Sequence, residues 1–589
     1  MTTTGTPPAA PSWPHCARGA EAFDTVGCRG IKVAPYDACL AHLTDPDRNA
    51  YLASLAPGSN IDLRGTTFTE PLLAPLLDAL RDPTTGHPRF GRARFDSAAF
   101  LRRATFGSVT FEGDACFVSA TFRDDAQFMS AWFESSAEFQ GATFRVGAAF
   151  GSATFHGNAW FVRTVFQGRT AFHAATFQDR AWFRSATFQG NAGFEAATFQ
   201  GDVGFEGMTI HGDAWFGSAV FEQVVDMGPL VCAGRVDLSG AVFRSPATLM
   251  LAARRLVCRR TRWSSTATLQ LRYATVDFDH AVFEYPLTIA AQAHPFAQVK
   301  GHAVDEQVLA HAPGAVVRVA TLRGVDAAHL VLADVDLSGC LFLGTVHLDQ
   351  LRLEGACTFD TTPSAIRWRG WRPVRHTPRR TLAEEHHWRA SQPEATPGWN
   401  VAVLGAGRVG PLQLAPVYRA LRKAFEDGKH EPGAADFYYG EMEMRRHADD
   451  IPRSERSLLT AYWALSGYGL RASRALGSLA ATMLVTVVLL MAFGLPQDDL
   501  KQQATGSVPT GGGKVTFEID KDDPRNPTGD RFTTKRFEKA LSVTLNSVVF
   551  RSSGQDLTTS GTYIEMTSRL VEPALLALAV LAVRGRIKR

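Results

Sequence analysis

A chain of 589 residues is too long for one ordinary hydrophobic core, so three or more structural units are expected. Lys and Arg number 61 against 58 Asp and Glu, a formal net charge of +3, which argues against a mainly nucleic-acid-binding chain and against a strongly acidic DNA mimic. Phe is the outlier at 39 residues, an apolar load that points first to an internal repeat.

Residues 1–60 read as a small N-terminal module. The first 15 residues are polar and Pro-rich without an apolar h-region, so this portion is expected to stay in the cytosol. The eight cysteines (Cys16, Cys28, Cys39, Cys116, Cys232, Cys258, Cys340, Cys357) are scattered and read as reduced, buried small hydrophobes. Near the N-terminus His15 joins Cys16, Cys28, Cys39 and His42 as possible donors. The last four are the candidate zinc ligands, and Cys39-x-x-His42 is the most ligand-like pair. A module of this size gains from such a staple. The 11- and 10-residue gaps match no common zinc pattern, so ordinary buried thiols stand as the alternative, and no other cofactor is expected.

From Phe90 to Phe221 a large apolar residue recurs at spacings that alternate five and six, with Ile210 the one substitution for Phe. Two positions before it stands a small residue, as at Ala104, Ala115, Ala120, Ala126, Ala131, Ala153, Ala159, Ala186 and Ala214. In a short extended segment positions i−2 and i point the same way, so each A-x-F unit sends one small and one large side chain inward. The remaining residues turn a corner. Spacings of five and six drift around a helical wheel, which excludes a helix and leaves a solenoid. With four units to a coil, residues 22 apart stack. Phe106, Phe128, Phe150, Phe172, Phe194 and Phe216 then form one ladder, and Phe117, Phe139, Phe161, Phe183 and Phe205 another. Coils about 4.8 Å apart make this stretch a rod of about six coils, roughly 30 Å long.

The run "FQGNAGFEAATFQGDVGF" resembles the Phe-rich variant of the pentapeptide-repeat family. The resemblance implies a right-handed quadrilateral β-helix, with the small residue at i−2 and the Phe inside. A regular β-helix is expected over 61–225 and an irregular continuation over 226–360. The continuation carries Leu238, Phe243 and Leu249, then Phe278, Phe283 and Ile289, then Leu332, Leu337, Phe342, Leu348, Leu353 and Phe359. An early copy, "IDLRGTTF", places Leu63 and Phe68 in register 22 residues before Phe90, with a helix inserted at one corner from Pro71 to Leu80. Trp160 and Trp182 lie one coil apart at the outward i−1 position, where they form a candidate partner surface.

Residues 361–465 read as a linker and a helical hairpin. "IRWRGWRPVRHTPRR" interleaves Arg367, Arg369, Arg372, Arg375, Arg379 and Arg380 with Trp368 and Trp371, for which a lipid surface is the better functional reading and a solvated linker the plainer one. His386 and His387 lack the H-E-x-x-H spacing and are expected at the surface. "VAVLGAGRVG" fits the dinucleotide fingerprint in its glycines, but Pro411 and Pro416 are expected to interrupt the helix it requires. Over 416–446, Pro416 suits a first helical turn, Tyr418, Leu421 and Phe425 share a face, and Asp427-Gly428 ends the helix. This hairpin resembles the connector before the membrane segments of other pentapeptide-repeat membrane proteins.

Residues 466–589 form the expected membrane domain, with spans at 475–495 and 566–583. Glu572 and Pro573 interrupt the second span near its start. Arg471 and Arg474 flank the first span, while Arg584, Arg586, Lys588 and Arg589 follow the second, which predicts both termini on the cytoplasmic side of a multi-pass cell-membrane protein. Residues 496–565 are then outside. Their "DKDDPRNPTGD" run has calcium-compatible oxygens without the EF-hand order and reads as a solvated loop. "RFEKALSVTLNSVVFRSS" has the length of a pore helix, so the last 120 or so residues resemble the two-transmembrane pore module of potassium-type channels. Where those channels carry Thr-Val-Gly-Tyr-Gly this chain reads "TLNSVVFRSSGQD", so potassium selectivity is not implied.

No nucleophile, base and oxyanion arrangement is legible, so catalysis and a small-molecule substrate are not expected. The leading expectation is a membrane-anchored scaffold with lipid and either a protein partner or its own copies as partners, and with no nucleic acid. A channel-like oligomer gated by the rods is the first alternative. Topoisomerase inhibition by DNA mimicry is the second, and the mixed charge at Arg92, Arg94, Arg102, Arg103, Arg123 and Arg163 disfavours it.

Overall fold

Each A-x-F unit makes a strand of only two residues, because a small side chain and a Phe can face inward together only until the next corner. Ala104–Thr105, Thr110–Phe111, Ala115–Cys116 and Thr121–Phe122 form the four sides of one coil. Ala104 pairs in parallel with Ala126, and Thr110 with Trp132, so the coil repeats every 22 residues. The computed structural model describes residues 10–589 apart from 22–23, 298–302, 364–366, 370–371, 375, 394, 396, 400–408, 498–501, 507–510, 512–516, 522–523, 550, 553 and 588–589. It divides into two units, Met1–Val409 with Lys423–Gly428, and Gly410–Arg422 with Lys429–Arg589.

The first unit is a parallel β-solenoid of about 12 turns. Its rungs are backbone hydrogen bonds such as Phe106 N to Gln127 O at 2.7 Å and Phe117 N to Glu138 O at 2.6 Å. Inside, the Phe columns run as expected. Ring centroids 22 residues apart lie 5.1 Å apart for Phe106–Phe128, 4.8 Å for Phe128–Phe150 and 5.0 Å for Phe139–Phe161, and the planes are nearly parallel. Neighbouring columns meet edge-on, as Phe128 and Phe139 do at 5.5 Å. Alternate corners hold a residue with positive φ every 11 positions. Ser97, Ser108, Ser119 and Ser130 have φ of 56°, Gly141 continues the series at 65°, and Ser152 returns to 56°. A left-handed non-glycine residue costs about 1 kcal/mol, which the rungs on either side offset.

The early copy is shifted from the expected register. Phe68 stacks on Phe100 and Thr67 pairs with Ala99, whereas Phe90 lies over Ser59. The inserted helix causes this. A first helix, α1 (Asp45–Ala53), precedes the coil, and α2 (Glu70–Ala79) adds ten residues to the 22 while burying Leu72, Leu73, Leu76 and Leu77.

Past Phe221 the coil shortens. Val225 pairs with Ala247, 22 on, but Arg235 pairs with Arg255, only 20 on, after two irregularities at Met227/Leu230 and Cys232/Arg235. Three sides and the two corners between them merge into the continuous strands Val225–Asp237 and Ala247–Val257. Leu238, Phe243, Leu249, Phe278, Phe283, Ile289, Leu332, Leu337, Phe342 and Leu348 remain inside, and Phe359 is buried at the end. An insertion after Ala291 lays Phe296, Val304 and Leu309 on Val231 and Ala252, held by the buried ion pair of Arg272 with Glu306 at 2.8 Å.

Helix α3 (Ala383–Ala390) closes the far end of the solenoid. Glu384 Oε1 accepts the Phe342 and Leu343 N–H groups at 2.6 and 3.0 Å. Arg379, expected in a solvated linker, is buried and donates to Glu385 Oε2 at 2.8 Å. His386, expected at the surface, is only 2% exposed and lies 2.8 Å from Thr381 Oγ1. Burying the charged first turn of α3 overrode a surface reading drawn from polarity alone.

Helix α4 (Pro411–Asp427) opens at Pro411, five residues before the expected start, because a proline at N1 costs no hydrogen bond there. Pro416 therefore lies within it, while Tyr418, Leu421 and Phe425 are buried as their shared face predicts. In the second unit α5 (Glu431–His447) and α6 (Arg453–Ser466) pack Tyr439 and Met442 with Tyr468, and Gly440 lets the Tyr418 ring approach to where a Cβ would stand 2.3 Å away. Then come α7 (Ala472–Leu489), a π turn at Leu490–Gly494, α8 (Thr534–Val548) and α9 (Thr559–Ile587).

Candidate functional site

The N-terminal module is a short antiparallel pair followed by a turn. Cys16 N donates to Gly30 O at 2.8 Å, Ala17 N to Cys28 O at 2.9 Å and Cys28 N to Arg18 O at 2.9 Å, with Gly27 at φ 64° in the connection. Leu40–His42 then makes one 3-10 turn, closed by His42 N donating to Cys39 O at 2.8 Å. These two pieces bring Cys16, Cys28, Cys39 and His42 together, one donor atom from each within 4.8 Å of all the others. Cys28 Sγ lies 3.7 Å from Cys39 Sγ, while His42 Nδ1 lies 3.3 Å from Cys39 Sγ and 3.6 Å from Cys16 Sγ. Cys16 and Cys39 are buried, Cys28 half-buried. The hydrogen bond between the two thiols holds the Cys28 pKa well below the ordinary thiol range, and Cys28 together with burial pushes the Cys39 pKa above it. His15 is not in the cluster; it bridges to Ile31. The four donors can hold a metal ion.

On the solenoid, the predicted core residues Phe106, Phe117, Phe128, Phe139, Phe150, Phe161, Phe172, Phe183 and Phe194 are all fully buried. Trp160 and Trp182 stack on the outside with centroids 6.3 Å apart and planes at 22°. Arg184 caps the stack, its guanidinium 4.2 Å from the Trp182 centroid. The ring leans over Gly204 on the next coil, where a Cβ would come within 2.4 Å of it. Sequence spacing could pair the two indoles, but the arginine and the glycine that seat them needed coordinates.

Two helical stretches are long and apolar enough to cross a membrane, Ala472–Gly494 with 23 residues and Thr559–Arg584 with 26. The second begins at Thr559, seven residues before the expected start at Met566, so the apolar stretch from Leu570 extends back far enough to span. Leu484, Leu570, Val580 and Leu581 are exposed along them at 63, 75, 57 and 57%. Helix α8 packs Ala540 and Val543 against Val487, Leu490 and Met491, and Arg536 donates to the free carbonyls of Met491 and Leu495 at 3.0 and 2.8 Å. Glu572 is fully buried and accepts from Thr486 Oγ1 at 2.9 Å.

The remaining sequence candidates fall partly outside the described residues. Val401–Arg408 of the glycine fingerprint do so, as do Trp371 and Arg375 of the basic stretch and Asp522 and Asp523 of the acidic loop. Arg367–Arg369 and Arg372–Val374 pair as an antiparallel hairpin.

The family model of pentapeptide repeats (9 copies) matches residues 150–198. No curated protein and no solved structure matches the chain. Over the regular coils that include the matched residues, four two-residue sides per coil with large apolar side chains, nearly all Phe, turned inward and a small or compact residue two positions before each make the solenoid a pentapeptide-repeat β-helix.

Proposed function

We infer that the protein is a membrane-anchored scaffold, in which the two C-terminal helices hold a cytoplasmic β-helix that binds a protein partner along its side. The exposed apolar flanks of the two long helices carry the reading. Side chains such as Leu484 and Leu570 meet water at a cost of roughly 25 cal/mol per Å2 unless something apolar covers them. A rigid solenoid with an outward indole stack supports a binding role in preference to catalysis. Alkaline extraction of cell membranes tests the anchor, and full recovery in the soluble fraction would end that part. Affinity capture from solubilised membranes, comparing the wild type with a variant carrying Trp160→Ala and Trp182→Ala, tests the partner surface. Equal capture of every partner by both would remove it.

A second reading, a channel-like oligomer, draws on α8, an amphipathic helix of pore-helix length seated between the two long helices. Purified protein that passes no current in planar bilayers under varied ions would discard it.

A further inference from the structure

Three sulfurs and an imidazole nitrogen converge in the N-terminal module at edges of 3.7, 3.3 and 3.6 Å. A tetrahedral zinc with Zn–S bonds of about 2.3 Å needs S···S edges of about 3.8 Å and slightly shorter S···N edges, which these three edges match, and all four donor atoms lie within 4.8 Å of one another. Borderline-soft donors of this composition favour Zn2+ over hard cations such as Mg2+ or Ca2+.

A second, independent observation is the module's thin core. Helix α1 buries no residue. Among the described residues from 10 to 55 the buried apolar set is Cys16, Val33, Ala38, Cys39, Leu40 and Leu43, and two of these six are ligands. So little apolar burial does not offset the entropy of ordering about forty residues, and small domains in this position use a metal or disulfides. The backbone is also shaped around the cluster. A Cβ at Gly30 would stand 2.7 Å from Cys39 Cβ and 2.8 Å from its Sγ, so only glycine lets this sulfur into place.

The module sits on the first coil. Ile31 N donates to Arg64 O at 2.8 Å, Gly65 packs so closely that a Cβ would meet Arg29 O at 2.3 Å, and Arg64 lies 5.0 Å from the Trp13 ring. That coil would otherwise present open backbone groups, the template for edge-to-edge association. We propose that Cys16, Cys28, Cys39 and His42 bind one Zn2+ ion that holds the N-terminal module closed as the end cap of the β-helix.

The test uses full-length protein purified in detergent under reducing conditions. Metal analysis is expected to find about one zinc per chain in the wild type and in Cys116→Ser, and none in Cys39→Ser or Cys28→Ser. After exchange with Co2+ the wild type should show the thiolate charge-transfer and ligand-field bands of a tetrahedral site. His42→Cys, which keeps four ligands, should retain the ion with shifted bands, which separates ligand loss from general misfolding. Chelation should raise amide hydrogen exchange over 59–68 and leave 150–198 unchanged. A reduced wild type that is zinc-free and silent towards Co2+ would overturn the site, as would zinc retained by both cysteine variants or a Cys28–Cys39 disulfide in place of metal. Equal exchange at 59–68 with and without metal would overturn the cap.

Discussion

Phe150 shows what one interior position contributes. Its ring lies 4.8 Å from both Phe128 and Phe172 in its own column and meets Phe139 and Phe161 edge-on at 5.5 Å. Rungs such as Phe150 N to Ala171 O at 2.7 Å pin the backbone, so the space left by truncation cannot collapse. Phe150→Ala is expected to cost about 3–5 kcal/mol and Phe150→Leu less than about 1.5, read from the denaturant midpoint of the solenoid transition. Equal midpoints for the wild type and Phe150→Ala would contradict a packed interior. Glu384 makes the opposite case, a polar group that the core requires. Burial raises its carboxyl above the ordinary value, and its Oε2 has no partner among the described residues. The folded state therefore binds more protons than the unfolded chain between the ordinary and the raised value. Stability present below the ordinary value is lost as pH climbs through the raised one. Glu384→Gln should flatten that decline in thermal midpoints taken between about pH 4 and about pH 8. Glu384→Ala should lower the midpoint throughout, because the buried Phe342 N–H loses its acceptor at about 1–3 kcal/mol and the half-buried Leu343 N–H loses the same acceptor at a smaller cost.

Where helices meet in the second unit, small residues set the distance. Gly494 and Gly561 touch so closely that a Cβ on Gly561 would lie 2.2 Å from Gly494 O, and Thr558 Oγ1 donates to Phe493 O at 2.7 Å beside them. Gly561→Val should push α9 away from the π turn and break that bond. The expected result is a lower thermal midpoint for the detergent-solubilised protein with an unchanged β signal in circular dichroism, and an identical melt would mean the contact carries no weight. Elements differ in how far they could be read beforehand. The A-x-F sides were legible because every side of every coil repeats the same demand on two positions. The merged strands after Val225 were not, since straightening two corners leaves no mark beyond a period that falls from 22 to 20. Helix α3 escaped for a related reason. "AEEHHWRA" has no apolar stripe, and it packs by satisfying backbone groups at the end of the coil instead of by burying hydrocarbon. The four candidate metal donors could be grouped from residue type alone, but their convergence was not legible in the spacing, because a hairpin and a separate turn supply them and neither constrains the gaps between them.

For the whole chain, charge is the property that organises surface and orientation. Along the solenoid opposite charges stand one coil apart and pair, as Arg92 with Asp114 at 3.1 Å, Arg184 with Glu206 at 3.5 Å and Arg262 with Glu284 at 2.6 Å. Each exposed pair contributes little to stability, but together they leave the rod without the one-signed field that DNA mimicry needs. Around the two candidate spans the asymmetry is along the sequence. Arg471 and Arg474 lie at the start of the first candidate span and Arg584 and Arg586 at the end of the second with no acidic residue among them, whereas in the connecting segment basic residues such as Lys521, Arg525 and Arg531 are balanced by Asp520, Asp522, Asp523 and Asp530. Basic residues immediately beside a span resist translocation, so the proposed anchor predicts both flanks on the cytoplasmic side and the connection outside. Single cysteines at two exposed sites, Asn526→Cys in the connection and Asp450→Cys before α6, distinguish the orientations. An impermeant maleimide applied to intact cells should label Asn526→Cys at once and Asp450→Cys only after lysis, with the wild type as the background for native thiols. Labelling of Asp450→Cys alone in intact cells would invert the topology, and labelling of both would mean that the two helices do not form a closed pair of spans.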